Sequence, residues 1–86
     1  MTEVLAVFRS RAQAVDFNMR LKNFGVYANL INTPKEAGVG CGLSVKFAEN
    51  SLIRVRTLVR RPEYSAFYGF YKILNIYGRT QFVRIG

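Results

Sequence analysis

Residues 32–43 read NTPKEAGVGCGL, and this stretch separates two parts of the chain that carry regular apolar patterns. It contains one of the two prolines, three of the seven glycines and the only cysteine, Cys41. Glycine loses the most conformational freedom on ordering and proline has no backbone N–H, so this run does not suit the interior of a helix or strand. We therefore predict a shaped loop that presents Cys41 between two folded parts.

The part before the loop predicts a strand, a helix and a second strand, over residues 3–8, 10–24 and 26–31. Ser10 is placed to cap the helix, Gln13 would complete a capping box, and Gly25 stands where a helix-ending glycine belongs. The helical spacing turns Asn18 away from the core and puts four apolar residues on one stripe. The stripe consists of Ala14, Phe17, Leu21 and Phe24.

The part after the loop repeats this order and adds a strand, over residues 43–47, 48–61, 67–74 and 81–85. Ser44 and Lys46 alternate with apolar residues, so one face of the third strand is expected to be wetter. The second helix is expected to bury Val55, with Ile53 at the flank of its apolar stripe, and to end at Pro62.

Together the two parts predict one α+β domain over residues 1–86. The order of elements is that of a ferredoxin-like βαββαβ sandwich, with two helices on one face of a mixed or antiparallel sheet. The C-terminal strand, at about residues 79–86, is an addition to that plan.

Composition restricts the classes of function. Thirteen lysines and arginines against five acids give a net charge of +8, which favours an anionic partner. One cysteine allows no internal disulfide, and the absence of histidine argues against a zinc site or any other metal site. No apolar segment reaches the ~20 residues that span a bilayer. We expect a cytoplasmic monomer or weak homodimer without cofactor or membrane contact.

The glycines around Cys41 make its thiol sterically open, and backbone amides there can form an anion-binding nest. Such donors, with nearby lysines, would lower the thiol pKa. The chain has no histidine for Cys–His catalysis, so a carrier or binding role is favoured over an enzyme. The alternative is a structural Cys41 at a strand edge. The residues predicted to shape the loop are Thr33, Pro34, Gly38, Gly40 and Gly42, and those predicted to support the thiolate are Lys35 and Lys46.

Two short segments lie between the second predicted strand and the start of the third. They are Thr-Pro-Lys-Glu at residues 33–36 and Cys-Gly-Leu at residues 41–43. The chain thereby resembles the small bacterial domains of unknown function described as putative selenium/sulfur carrier protein-like, over about residues 4–73. The resemblance implies a carrier cysteine, which maps to Cys41, and a sulfur or selenium donor or acceptor protein as partner.

A second reading rests on the basic residues. Four arginines, predicted on or at the end of the second helix, could contact nucleic acid or an acidic protein. The aromatic run at residues 66–72 resembles the base-stacking strand of RNA-recognition domains, but it follows the second helix instead of preceding it, so core packing is the better interpretation. The four arginines are Arg54, Arg56, Arg60 and Arg61.

Overall fold

The computed structural model describes residues 2–37 and 42–86, and it shows an α+β fold. Within these residues the strands are β1 (Glu3–Phe8), β2 (Ala28–Asn32), β3 (Leu43–Ala48), β4 (Phe67–Ile76) and β5 (Arg79–Arg84). The helices are α1 (Arg11–Asn23) and α2 (Leu52–Val59). Short 3₁₀ turns lie at Lys35–Ala37, Glu49–Ser51 and Pro62–Tyr64.

The five strands form one antiparallel sheet in the order β2-β3-β1-β4-β5. The central strand β1 pairs with β3 on one side and β4 on the other, so it is buried along almost its whole length. The predicted C-terminal strand exists as β5 and pairs with β4 through a two-residue turn. Tyr77 and Gly78 both have positive φ there, as a type I′ hairpin turn requires.

One face of the sheet packs against α1 and α2 and holds the main core. Alternate residues of β1 and β3 point to this face because strand side chains alternate. Aromatic rings fill the layer, with Phe17 4.9 Å from Tyr64 and 5.4 Å from Phe8. The buried set is Val4, Ala6, Phe8, Ala14, Phe17, Leu21, Val26, Ala28, Leu43, Val45, Phe47, Val55, Val59, Tyr64 and Phe70.

The other face of the sheet carries no helix of the described residues, yet Leu5 and Val7 are fully buried on it. They form a second apolar cluster with Tyr71 of β4 and with Ala37 from the turn after β2. The segment that leads towards Cys41 therefore folds back onto this face and covers part of it.

The ends of α1 confirm most of the local predictions. Ser10 caps the helix by accepting a hydrogen bond from the Gln13 amide at 3.2 Å. Gly25 has φ +78°, and its amide donates to Lys22 while the Val26 amide donates to Leu21, which is a Schellman ending.

Several finer expectations were wrong for tertiary reasons. The Gln13 side chain bonds the Ala66 amide and Ser65 instead of closing a capping box. Asn18 is buried, with 6% exposed, whereas Ile53 is 83% exposed. Ser44 is fully buried, and its hydroxyl is bonded to that of Thr33, the residue directly after β2.

Candidate functional site

The predicted thiol site falls partly outside the described residues. Cys41, Gly38 and Gly40 lie there, so their predicted roles stay predictions. The residues immediately before and after this segment are described, and both ends of the loop are held by specific contacts.

Gly42 fixes the end of the loop that follows Cys41. A Cβ atom at this position would collide with the backbone carbonyl of Phe8, so no larger residue fits without a backbone shift. The Gly42 carbonyl accepts a hydrogen bond from the Thr33 amide at 3.1 Å, and the Thr33 and Ser44 hydroxyls share a bond of 2.8 Å. Thr33 and Gly42 therefore contact each other at the base of the loop, and their role in shaping it stays a prediction.

Ala37 fixes the other end. Its amide donates to the Pro34 carbonyl at 3.1 Å, which forms the 3₁₀ turn. Its carbonyl accepts a buried hydrogen bond of 3.0 Å from the Tyr71 hydroxyl. Burial raises the pKa of Tyr71, so this hydroxyl remains a donor well into the alkaline range.

The two predicted lysines are not gathered at one point. Lys46 lies in the middle of β3, and its Nζ is 3.8 Å from a carboxylate oxygen of Glu3. It lies four positions along the strand from Gly42, which corresponds to about 13 Å. Lys35 is exposed in the 3₁₀ turn.

Two other arginines do meet at this end of the sheet, and the sequence analysis missed them. The guanidinium carbons of Arg9 and Arg84 lie 4.8 and 4.6 Å from the centre of the Tyr68 ring. Arg84 also donates to the Tyr68 carbonyl at 2.7 Å. We call Arg9, Tyr68 and Arg84 the Tyr68 cluster. Its members are up to 75 positions apart, so no local pattern could have revealed it.

The Tyr68 cluster is joined to the loop through Tyr71. The Tyr68 and Tyr71 rings are parallel, at 6°, with centres 6.4 Å apart. Tyr71 in turn holds the Ala37 carbonyl. Aromatic packing on the open face therefore connects the two arginines to one fixed end of the loop.

A different tyrosine organises the opposite face. Tyr64 accepts a hydrogen bond from Arg20 at 2.6 Å and donates one to Asp16 at 2.7 Å. Glu63 pairs with Arg20 at 3.3 Å. We call Asp16, Arg20, Glu63 and Tyr64 the Tyr64 cluster.

Burial and hydrogen bonding shift the pKa values of three residues of the Tyr64 cluster. Burial, with the bond to Asp16, raises the pKa of Tyr64, and the bond to Tyr64 raises that of Arg20. The pKa of Glu63 is lowered by its own backbone amide and by Arg61.

The four arginines of the predicted basic patch have mostly structural contacts. Arg54 donates to the Phe24 carbonyl at the end of α1, and Arg56 donates to the Ile85 carbonyl at 3.3 Å. Arg61 pairs with Glu63 at 3.1 Å. Arg60 is exposed beside a cleft of about 230 Å³. These contacts tie Arg54, Arg56 and Arg61 to the fold, and a shared binding role for the four arginines stays a prediction.

Residues 2–37 and 42–86 contain no group of three or more side chains able to hold a metal ion. Over the same ranges, no helix is long and apolar enough to cross a membrane.

Comparison with known families places the chain in one family. Residues 3–71 match the family model described as "putative Se/S carrier protein-like". The chain belongs to this Se/S carrier-like family. The match includes β1 to β3, the whole loop and the first half of β4, whereas β5 and its Arg84 lie beyond it. A search of curated proteins and a search of solved structures each found no match.

Proposed function

We propose that this protein carries sulfur or selenium on Cys41 as a small non-enzymatic carrier. The observation that supports this most is the family match across the loop, combined with the presence of one cysteine in the whole chain. A covalent chalcogen carrier needs a nucleophilic thiolate, and no second thiol exists to supply it. Cys41 is therefore the residue that would carry the sulfur or selenium atom.

The chemistry requires one nucleophilic displacement. The Cys41 thiolate attacks the outer sulfur of a donor persulfide, a new S–S bond forms at Cys41, and the donor's own S–S bond breaks. The donor leaves as a thiolate, so no external oxidant or reductant is consumed. Delivery is the same step in reverse, towards an acceptor thiolate.

The fixed loop ends support this role. A carrier thiol must reach both a donor and an acceptor, so it benefits from a loop whose base does not move. Gly42 packs against the Phe8 carbonyl, and Tyr71 holds Ala37. The predicted help from Lys35 is retained in the proposal, whereas Lys46, paired with Glu3, has a smaller part.

We further propose that the first four strands and two helices are a ferredoxin-like unit to which β5 is added. Since β1 and β2 both run antiparallel to β3, they are parallel to each other with β3 between them. Strands β3 and β4 both run antiparallel to β1, so they are parallel to each other with β1 between them. This is the pairing of a split βαβ arrangement. A single unpaired thiol also suits a reducing cytoplasm.

Loading by a small persulfide tests the function. We expect the folded protein, incubated with glutathione persulfide at pH 6, to gain one sulfur atom by intact mass. The rate should be at least about tenfold higher than in urea, because thiolate is scarce at this pH unless the pKa is below the ordinary ~8.5. Cys41→Ala should gain none. Equal rates folded and unfolded would show an ordinary thiol and contradict the proposal.

A matched pair of threonine variants tests the loop base. Thr33→Ala removes the hydroxyl bond to Ser44 and should slow loading. Thr80→Ala removes an exposed bond to Asn75 in the β4–β5 hairpin and should leave the rate unchanged. If both variants load like the wild type, the loop base does not position the thiol.

A further inference from the structure

The ends of several strands meet beside the loop. In the antiparallel register Phe8 stands opposite Leu43, so the next residues, Arg9 and Gly42, are neighbours at the same edge. The Arg9 amide donates to the Ala66 carbonyl at 2.9 Å, which fixes the start of β4 there. Arg9 therefore lies next to the residue that follows Cys41.

Arg84 reaches the same place because β4 leaves space for it. A Cβ atom on Gly69 would lie 2.9 Å from Arg84 Nε, so glycine at this position lets the guanidinium cross the strand. Its bond to the Tyr68 carbonyl then fixes its direction. The strand that lies beyond the family match thus contributes a cation to the edge that holds the loop.

The charges of this pair are not neutralised within the described residues. The salt bridges there use Arg20, Lys46, Arg61 and Lys72 as cations, and none includes Arg9 or Arg84. Both guanidinium carbons lie within 5 Å of the centre of one ring, so they are less than 10 Å apart. Two unit charges at such a distance in a water-like medium repel by roughly 0.4 kcal/mol or more. An anion placed between them would remove this repulsion and gain two charge-assisted contacts.

Because both arginines are exposed, the anionic groups that they bind must belong to a large molecule. Exposed ion pairs contribute roughly 0–1 kcal/mol each, whereas binding at even 1 mM requires about 4 kcal/mol. Two such contacts cannot hold a small molecule, so the rest of the affinity has to come from a larger surface. For a protein partner, complementary charge also accelerates encounter and sets orientation.

We propose that Arg9 and Arg84 of the Tyr68 cluster receive carboxylates on the acidic face of the protein that exchanges sulfur with Cys41. This inference rests on the proposed carrier function for its biological role, while the binding itself does not require the thiol. The cluster orients the partner so that its reacting sulfur approaches the loop.

A charge-sensitive alkylation experiment tests the position of the cluster. Iodoacetate and iodoacetamide differ in charge but little in size, so the ratio of their rates at Cys41 reports the local potential. The double variant Arg9→Gln/Arg84→Gln should lower this ratio at least threefold. The control Lys22→Gln/Arg79→Gln removes the same charge from exposed positions elsewhere and should change it by less than 1.5-fold. Equal ratios in the two double variants would overturn the proposal. No labelling of folded Cys41 would contradict the carrier function instead, and the anion site would then be decided by direct binding.

Direct binding tests the partner class. A fluorescent octaglutamate peptide should bind the wild type at low salt, weaken at least fivefold in Arg9→Gln/Arg84→Gln and weaken by less than twofold in the control. Tighter, cluster-dependent binding of an eight-nucleotide oligothymidylate would identify nucleic acid and overturn the acidic-protein assignment. This arm can also be run on Cys41→Ala, because binding does not require the thiol. Peptide binding by a wild-type protein that takes up no persulfide sulfur would refute the carrier function but leave the anion site standing.

Discussion

The two tyrosine–arginine clusters differ in one respect that separates their roles. In the Tyr64 cluster, Arg20 donates to the tyrosine hydroxyl and to Glu63, and the hydroxyl donates to Asp16, so donors and acceptors are matched inside the protein. In the Tyr68 cluster, two arginines meet one ring, and no described carboxylate forms a salt bridge with either. A matched cluster fixes α1 to the chain before β4. An unmatched cluster at the loop edge leaves charge available to a partner.

The largest effect is expected from breaking the matched cluster. Tyr64→Phe keeps the buried ring but removes a hydrogen bond to Arg20 and one to Asp16, so the free energy of unfolding should fall by about 1–3 kcal/mol. Urea denaturation followed by circular dichroism measures this. Tyr77→Phe, at a fully exposed turn residue, is the control and should be neutral. A neutral Tyr64→Phe would remove the distinction between the clusters.

The second largest effect on the free energy of unfolding should come from alkaline pH, through the hydroxyls of Tyr64 and Tyr71. Since the folded pKa values of Tyr64 and Tyr71 are raised, unfolded tyrosines ionise first, near pH 10. Protons are then held more tightly by the folded state, so stability falls as pH rises from about 10 through the folded pKa. Thermal melts from pH 8 to 11 should show this loss, and it should be smaller in Tyr64→Phe. A melting temperature that stays flat above pH 10 would contradict the assignment.

Removing the unmatched cations should change stability much less. Arg9→Gln/Arg84→Gln loses an exposed hydrogen bond and two cation–π contacts but also relieves repulsion, so the free energy of unfolding should change by less than ~1 kcal/mol. The same urea titration measures it. A loss as large as that of Tyr64→Phe would assign the Tyr68 cluster a structural role.

The smallest change in the free energy of unfolding should come from Gly69→Ala. The added methyl group displaces the flexible Arg84 side chain rather than backbone, so folding should be nearly unaffected. The iodoacetate to iodoacetamide ratio should fall towards that of Arg84→Gln. An unchanged ratio would show that Arg84 does not act from its place across β4.

Local sequence signals predicted much of the fold. The cap at Ser10, the turn at Gly25 and the order of the elements follow from interactions within a few residues, and the structure confirms them. Asn18 and Ile53 were misassigned because burial depends on which helix face meets the sheet. One apolar stripe does not define that face to within a residue.

The sequence predicted only those parts of the candidate site whose residues lie close together along the chain. Thr33 and Gly42 lie within the quoted loop, and the structure shows both in contacts that close it. Arg9 and Arg84 come together only after five strands have paired. The reactivity of Cys41 stays a prediction, since that residue lies outside the described part of the chain.

The added strand β5 has a consequence for the protein's behaviour at high concentration. Strand β4 is ten residues long and rich in aromatic residues, and without β5 it would form the outer edge of the sheet. Exposed, long, apolar edges recruit strands of other molecules and promote aggregation. In β5 the outer edge is shorter and begins and ends with arginine. We therefore expect the added strand to make this edge of the sheet less prone to pair with another molecule.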